Sequence, residues 1–269
     1  MTDVSDYGDL RVELGDDYVA TAEIRRPPNN HISLALVDSL AAALADLDRD
    51  ARCRAVVLCS EGKHFCAGGD FNPEDGSTRD DAASRSDAGG SRRGVYDEAH
   101  RLFETNKPIV AAVQGAAIGA GLGLSLIADF RVAAPEARFS ANFARLGFHH
   151  GFVLTATLPR VVGQQKAIEM LYTGVRLKGE EALAIGLADR LAPLPQLVDA
   201  AHELAVEIAR SAPLAVAAIR QTMRRELADA VRDAIPRERA QQNRLRTTDD
   251  WTEGVRAMAE RRLPNFQGR

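Results

Sequence analysis

Two stretches of this sequence place glycines directly behind short apolar runs: GKHFCAGGD, residues 62–70, after AVVLC, and QGAAIGAGLGLS, residues 114–125, after IVAAV. A glycine at such a point lets bare backbone approach a ligand, because no Cβ stands in the way. The second stretch leads into Leu122, Leu124, Leu126 and Ile127, which read as a helix. Its amides near 119–121 are therefore first-turn donors without intrahelical acceptors, at the positive end of a dipole. Such donors stabilise anions. One amide from each loop, converging on one oxygen, would make an oxyanion hole for an enolate or a tetrahedral intermediate. Any single glycine here also suits a turn or tight helix-to-sheet packing, and the case rests on there being two such loops behind two strands.

Other chemistries lose support on spacing. Counted from Gly119 or Gly121, the third glycine of G-x-G-x-x-G falls on Leu124 or Leu126, and no G-x-x-x-x-G-K-[ST] loop exists, so dinucleotide and nucleoside triphosphate sites are not expected. His31, His64, His100, His149, His150 and His202 show no metal-ligand spacing, and Ser125 is not in a G-x-S-x-G turn. No metal is expected. With 34 Lys+Arg against 38 Asp+Glu the net charge is -4, which gives no global positive field for nucleic acid. No apolar run reaches the roughly 18–20 residues of a membrane helix, and the opening nine residues are acidic and polar, unlike a secretion signal. A cytoplasmic protein is the expectation. Cys53, Cys59 and Cys66 form no CxxC pair and read as reduced thiols. Cys66, between Phe65 and Ala67, reads as a small packed residue rather than a nucleophile.

The elements that must position the two loops are legible in outline. Residues 11–27 alternate apolar and polar on either side of Gly15-Asp16-Asp17, a β-hairpin pattern. From Leu34, the residues Val37, Leu40, Ala41, Leu44 and Leu47 recur at helical spacing, with Ser33 placed as the cap. AVVLC (55–59), IVAAV (109–113) and FRVAA (130–134) are continuous apolar runs, as expected of parallel strands covered on both faces. Residues 95–105 read as a helix, and residues 73–93, rich in Ser, Gly, Asp and Arg, read as a mobile loop. Beyond Pro159 the pattern is nearly all helical, and the arginines between 220 and 262 read mostly as solvated helix faces. The fold class is α/β, with a strand-rich core over 1–200 and a helical region over 201–269.

These motifs together resemble the crotonase superfamily, the enoyl-CoA hydratases and isomerases. The likeness runs through RPPNN (26–30), GKHFCAGGD, NKPIVAAVQGAAIGAGLGLSLIADFRVAAPEARFS (106–140), LPRVVG (158–163), LYTG (171–174), EEALAIGLADRL (180–191) and EGVRAMAERRLPNFQGR at the end. The resemblance implies a ββα spiral core with a C-terminal trimerisation region, a homotrimer or a dimer of trimers, and acyl-CoA thioesters as ligands. Coenzyme A would arrive as part of the substrate, and no separate cofactor is implied. The family's two oxyanion-hole amides fall on Gly69 and Ala120, and its adenine-contacting carbonyl on Ala67. Asp70 follows the first amide and is expected to brace the loop, and Phe71 would flank the thioester tunnel.

The sequence departs from the family at the residues that move protons. The two glutamates of the hydratases fall on Gly123 and Phe143, so both carboxylates are absent. A positioned acid or base contributes roughly 10²- to 10⁴-fold, which argues against efficient ordinary hydration and, by the same reasoning, isomerisation. His100, with Glu104 one helical turn on, resembles the catalytic histidine of the family's aryl-CoA dehalogenases and is a candidate base, although their nucleophilic aspartate falls on Gly151. The resemblance places His149 and His150 in the family's loop that closes over the acyl group, and a pocket-lining role is expected. Trp251 is expected to pack the terminal helix. Three functions stay open: an enolate-forming thioester enzyme, an acyl-CoA-binding protein without the chemistry, and a specialised thioester hydrolase or retro-Claisen enzyme.

Overall fold

The computed structural model describes residues 3–71 and 94–269; the loop expected over 73–93 lies outside the described residues. In chain order the elements are β1 (Asp3–Asp6), β2 (Leu10–Leu14), β3 (Val19–Ile24), α1 (Leu34–Arg49), β4 (Ala55–Ser60), α2 (Val95–Glu98), β5 (Ile109–Val113), β6 (Ala116–Ile118), α3 (Ala120–Ser125), β7 (Phe130–Ala133) and β8 (Arg138–Ser140). They continue with α4 (Leu154–Val162), α5 (Gln164–Thr173), β9 (Leu177–Lys178), α6 (Gly179–Ala184), β10 (Arg190–Leu191), α7 (Leu197–Ala209), α8 (Pro213–Leu245) and α9 (Asp249–Ala259). The main sheet has the order β1-β2-β3-β4-β5-β7-β10, and a smaller sheet has the order β6-β8-β9.

The hairpin forms as its alternation predicts, with β2 and β3 antiparallel from Leu10↔Ile24 to Leu14↔Ala20. From β3 onward the pairs β3–β4, β4–β5, β5–β7 and β7–β10 are parallel. Why the central runs are apolar without interruption is visible in where alternate residues go. Val56 and Leu58 of β4 face the core built on α1, while Ala55, Val57 and Cys59 face the layer covered by α7. Ile109, Ala111 and Val113 of β5 repeat the first pattern, and Val110 and Ala112 the second. A strand covered on both faces leaves no register in which a polar residue reaches water. Helix α1 starts where expected, its Ser33 hydroxyl accepting from the Leu36 N–H at 3.0 Å.

One sequence expectation needs correction. Residues 95–105 do not make one α-helix: a single α-turn, α2, passes into a 3₁₀ turn over Ala99–Phe103. A 3₁₀ turn advances 120° per residue instead of 100°, so side chains after Glu98 point elsewhere than a continuous helix would send them. The arginines of α8 and α9 are mostly exposed, as expected, with Arg220 and Arg224 among the exceptions. Arg220 Nε and Arg224 Nη1 each lie 2.9 Å from a carboxylate oxygen of Asp129, at the end of the β5–β7 layer, and Arg224 also donates to the Ile127 carbonyl. The buried Arg220 further donates to the Thr105 carbonyl. The pairing of one carboxylate with two guanidiniums offsets their desolvation only in part: burial outweighs Asp129 at Arg224 and lowers its pKa to about 10.

The C-terminal helices share the main core. Val231 and Ala234 of α8 and Trp251 and Val255 of α9 belong to the same apolar cluster as α1 and the sheet. Helix α9 begins at Thr248, whose hydroxyl accepts from the Trp251 N–H. The terminal residues fold back on it: the amides of Gln267 and Gly268 donate to the two oxygens of Asp250, at 2.6 and 2.8 Å. Among the described residues no helix is long and apolar enough to cross a membrane.

Candidate functional site

The first glycine loop leaves β4 at Ser60 and is fastened at nearly every residue. The Ser60 hydroxyl donates to the Phe65 carbonyl at 2.8 Å, and the Asn30 carboxamide donates to the carbonyls of Glu61 and His64 at 2.8 and 2.6 Å. From Phe65 the loop runs alongside the second loop. Phe65 N–H donates to Gln114, Cys66 N–H to Ala116, and Ile118 N–H returns to Cys66 at 3.1 Å, so Cys66 and Ala117 form a parallel bridge. Ala67 N–H donates to Asn29 and the Gly68 carbonyl accepts from Ile32, leaving Gly68 at φ +92°. A Cβ there would lie 2.8 Å from the Ile118 carbonyl, so the approach of the two loops needs a glycine at this point. The N–H of Gly119 donates to Ser140 at 2.8 Å and α3 starts at the next residue.

This fastening brings Gly69 and Ala120 to the wall of one small cavity of about 30 Å³, lined also by Ala67, Phe71 and Phe143. A cavity of this size holds about one water. Neither the Gly69 nor the Ala120 N–H donates a hydrogen bond to any described residue, and Ala120 is only 1% exposed. Buried amide donors are almost always paired, which makes the Ala120 N–H an exception, and the partly exposed Gly69 brings a second unpaired N–H to the same cavity wall.

Aromatic rings fill the space at positions 123 and 143, where the family resemblance would place glutamates. A Cβ on Gly123 would lie 2.8 Å from Phe152 Cβ and Cδ1 and 3.0 Å from the Phe152 carbonyl oxygen. Phe152 and Val153 both hold left-handed backbone, at φ +56° and +55°, an uncommon conformation for residues of their kind. This turn is pinned by Glu238 of α8, whose carboxylate accepts from the amides of Val153 and Thr155, each at 3.0 Å. Phe143, 3% exposed, stacks on Phe148 at 6.2 Å; Phe148 meets Trp251 at 4.4 Å; and Trp251 meets Phe71 edge-on at 5.2 Å. One side of the cavity is thus an apolar wall backed by α9. Trp251 packs the terminal helix, as expected, and that packing reaches the candidate site.

The candidate histidines are not brought to this cavity. His100 sits on the 3₁₀ turn with Nε2 4.0 Å from the Glu104 carboxylate, and it is Tyr96, one turn earlier, that reaches the cavity wall. His149 and His150 stack on each other at 4.1 Å and belong to a partly buried network under α8. His150 Nε2 lies 2.8 Å from the Thr155 hydroxyl, which donates to Glu238 at 2.6 Å; His150 Nε2–H is therefore the donor to Thr155. Burial, reinforced by the neighbouring His149, drives the His150 pKa down to about 3, and burial also lowers that of His149. Burial raises the pKa of Glu238 against the hydrogen bonds from Thr155 and Val153, which pull it down. Both histidines are neutral near pH 7, and neither lines the cavity.

Asp70, next to Gly69, is partly exposed and does not line the cavity. Gly151, at the dehalogenase aspartate position, packs against Tyr96 and Gln242. Cys66 is fully buried, and burial pushes its thiol up to about 11, in keeping with a packed residue. The cavity lining missed from sequence comprises Tyr96, Asn142, Leu146 and Met258. Met258 had a readable signal, since Trp251, Val255 and Met258 recur at helical spacing; which surface that face covers was not readable. Among the described residues no cluster of His, Cys, Asp and Glu side chains could hold a metal ion.

Comparison with known proteins bears on this geometry directly. The family model of the enoyl-CoA hydratases/isomerases matches residues 15–269. The chain belongs to the enoyl-CoA hydratase/isomerase family. Its crotonase fold and loop motifs agree with that membership. It is 30% identical to a probable enoyl-CoA hydratase of Bacillus subtilis (strain 168), over 94% of this chain and 96% of that protein. It is 33% identical to the 2,3-dehydroadipyl-CoA hydratase of Escherichia coli (strain K12), over 91% of each. Among solved structures it is similar to an enoyl-CoA hydratase/isomerase from Pseudoalteromonas atlantica T6c, with a TM-score of 0.84 and 29% identity, covering 97% of this chain and 100% of that one.

Proposed function

We propose that this family member processes acyl-CoA thioesters, holding the thioester oxygen between the N–H groups of Gly69 and Ala120 while it carries enolate charge. The observation that carries the reading is that two residues with unpaired amides, Gly69 and Ala120, line one water-sized cavity. In an apolar, water-poor space two such donors favour the oxyanion over the neutral carbonyl, and each contributes roughly 10²- to 10³-fold. Ala67, on the same wall, offers its carbonyl at the adenine position, and Phe71 flanks the acyl chain. Coenzyme A comes with the substrate.

With Phe152 filling the space at Gly123 and an aromatic ring at 143, ordinary hydration is slow. The same filling supports the second reading, a protein that binds acyl-CoA without turnover. Incubation with a panel of enoyl-, 3-oxo- and aryl-CoA thioesters, following binding and turnover together, separates the two. Turnover of any ester supports the enzyme. Submicromolar binding with no turnover supports the binder, and no binding of any ester removes both.

The assembly we propose is a homotrimer or a dimer of trimers formed through the C-terminal helices. Ile219 and Met223, one turn apart on α8, are 63% and 78% exposed, an unusual place for such side chains unless a second copy covers them. Light scattering should return three or six times the 29.1 kDa chain mass, and a monomer in solution would end this part of the reading.

A further inference from the structure

The cavity that holds the two free amides is lined by only two protic side chains among the described residues, Tyr96 and Asn142. A carboxamide neither gains nor loses a proton near neutral pH, which leaves the phenol. Among the described residues the alternatives are removed by position: Gly123 and Phe143 carry no carboxylate, Cys66 is buried behind the loop bridge, His149 and His150 are tied into the network under α8, and His100 lies off the cavity wall. The Tyr96 ring is fixed edge-on to Phe152, with centroids 6.4 Å apart and planes at 81°, and its Cδ1 and Cε1 pack on Gly151. The residue that fills the first glutamate's space therefore also props the phenol.

We propose that Tyr96 is the catalytic proton carrier of this site, its O–H delivering a proton to the α-carbon of the enolate held by Gly69 and Ala120. This rests on the thioester reading above. The enolate electron pair forms the new C–H bond, and the O–H electron pair stays on the phenolate oxygen. The phenolate form removes the α-proton when the enolate forms, and the resulting phenol exchanges that proton with solvent water before returning one to the α-carbon, so charge and atoms balance. A phenol has both a donor hydrogen and acceptor lone pairs, so one group can serve both halves where the family uses two carboxylates.

The test follows exchange of the α-hydrogens of butyryl-CoA in D₂O by NMR, which reports enolate formation and reprotonation whatever reaction comes next. Tyr96→Phe keeps the ring that packs on Phe152 and Gly151. It should slow exchange by about 100-fold while the Kd for butyryl-CoA stays within about twofold. Incorporation of fluorotyrosine, a more acidic phenol, provides a second readout in the intact fold: the alkaline limb of the exchange rate should move to lower pH. Exchange that persists within about threefold in Tyr96→Phe, or a profile that fluorotyrosine leaves in place, overturns the role of Tyr96 alone. Wild-type protein that shows no exchange overturns the enolate reading together with it.

Discussion

Ala120 is the first residue of α3, and this makes its amide separable from its side chain. Proline is tolerated at the first helical position, where the N–H has no intrahelical partner. Ala120→Pro should therefore leave the helical circular-dichroism signal unchanged and lower thioester turnover or α-exchange by about 10²- to 10³-fold. A near-normal rate in that variant would remove Ala120 from the oxyanion hole. Gly123→Glu, which writes back the hydratase residue, should not restore hydration. Its side chain would meet Phe152, and overpacking costs about 1–3 kcal/mol, so a urea midpoint lower than wild type is expected, with crotonyl-CoA hydration no faster. His100→Ala should change turnover by less than about threefold, because the imidazole pairs with Glu104 and does not line the cavity. A loss near 100-fold would return His100 to the mechanism.

At the scale of elements, the junction between α4 and α8 carries the pH dependence. His150 has its pKa pushed down to about 3 in the folded protein against roughly 6.5 in the unfolded chain. Between those values the unfolded state binds the extra proton, so stability is greatest above about pH 6.5 and falls with acid towards about pH 3, at up to about 1.4 kcal/mol per pH unit for one proton. Glu238, shifted upward, acts in the opposite sense lower in that window. Urea midpoints measured from pH 7.5 down to pH 5.5 should decline in the wild type and decline less in His150→Gln; equal slopes would show that this network does not titrate on unfolding. The junction also shows what was readable in advance. The strands β4, β5 and β7 and the Ser33 cap were legible because each follows from local pattern and burial on both faces. The three-residue strands β6 and β8 were not, since their ladder is fixed by the partner loops rather than by alternation. Nor was the switch to a 3₁₀ turn after Glu98, which brings Tyr96 rather than His100 to the cavity. Glu238 and the Arg220–Asp129–Arg224 cluster join residues more than eighty positions apart, a relation that spacing along one helix does not encode.

For the whole molecule, the C-terminal helices and the core stand or fall together. Trp251 is 2% exposed and backs Phe71 through an edge-on contact. Trp251→Ala should cost about 3–5 kcal/mol of stability and weaken acyl-CoA binding as well, because Phe71 loses its support; a stability loss with unchanged affinity would detach α9 from the site. The two amides are constrained more tightly still. Any Cβ on Gly121 would run into the backbone carbonyl and side chain of Cys66, so the first turn of α3 rests directly on the other loop. The two glycine loops are a solid joint whose backbones cannot shift separately, so a side chain added at Gly68 or Gly121 should unseat both at once.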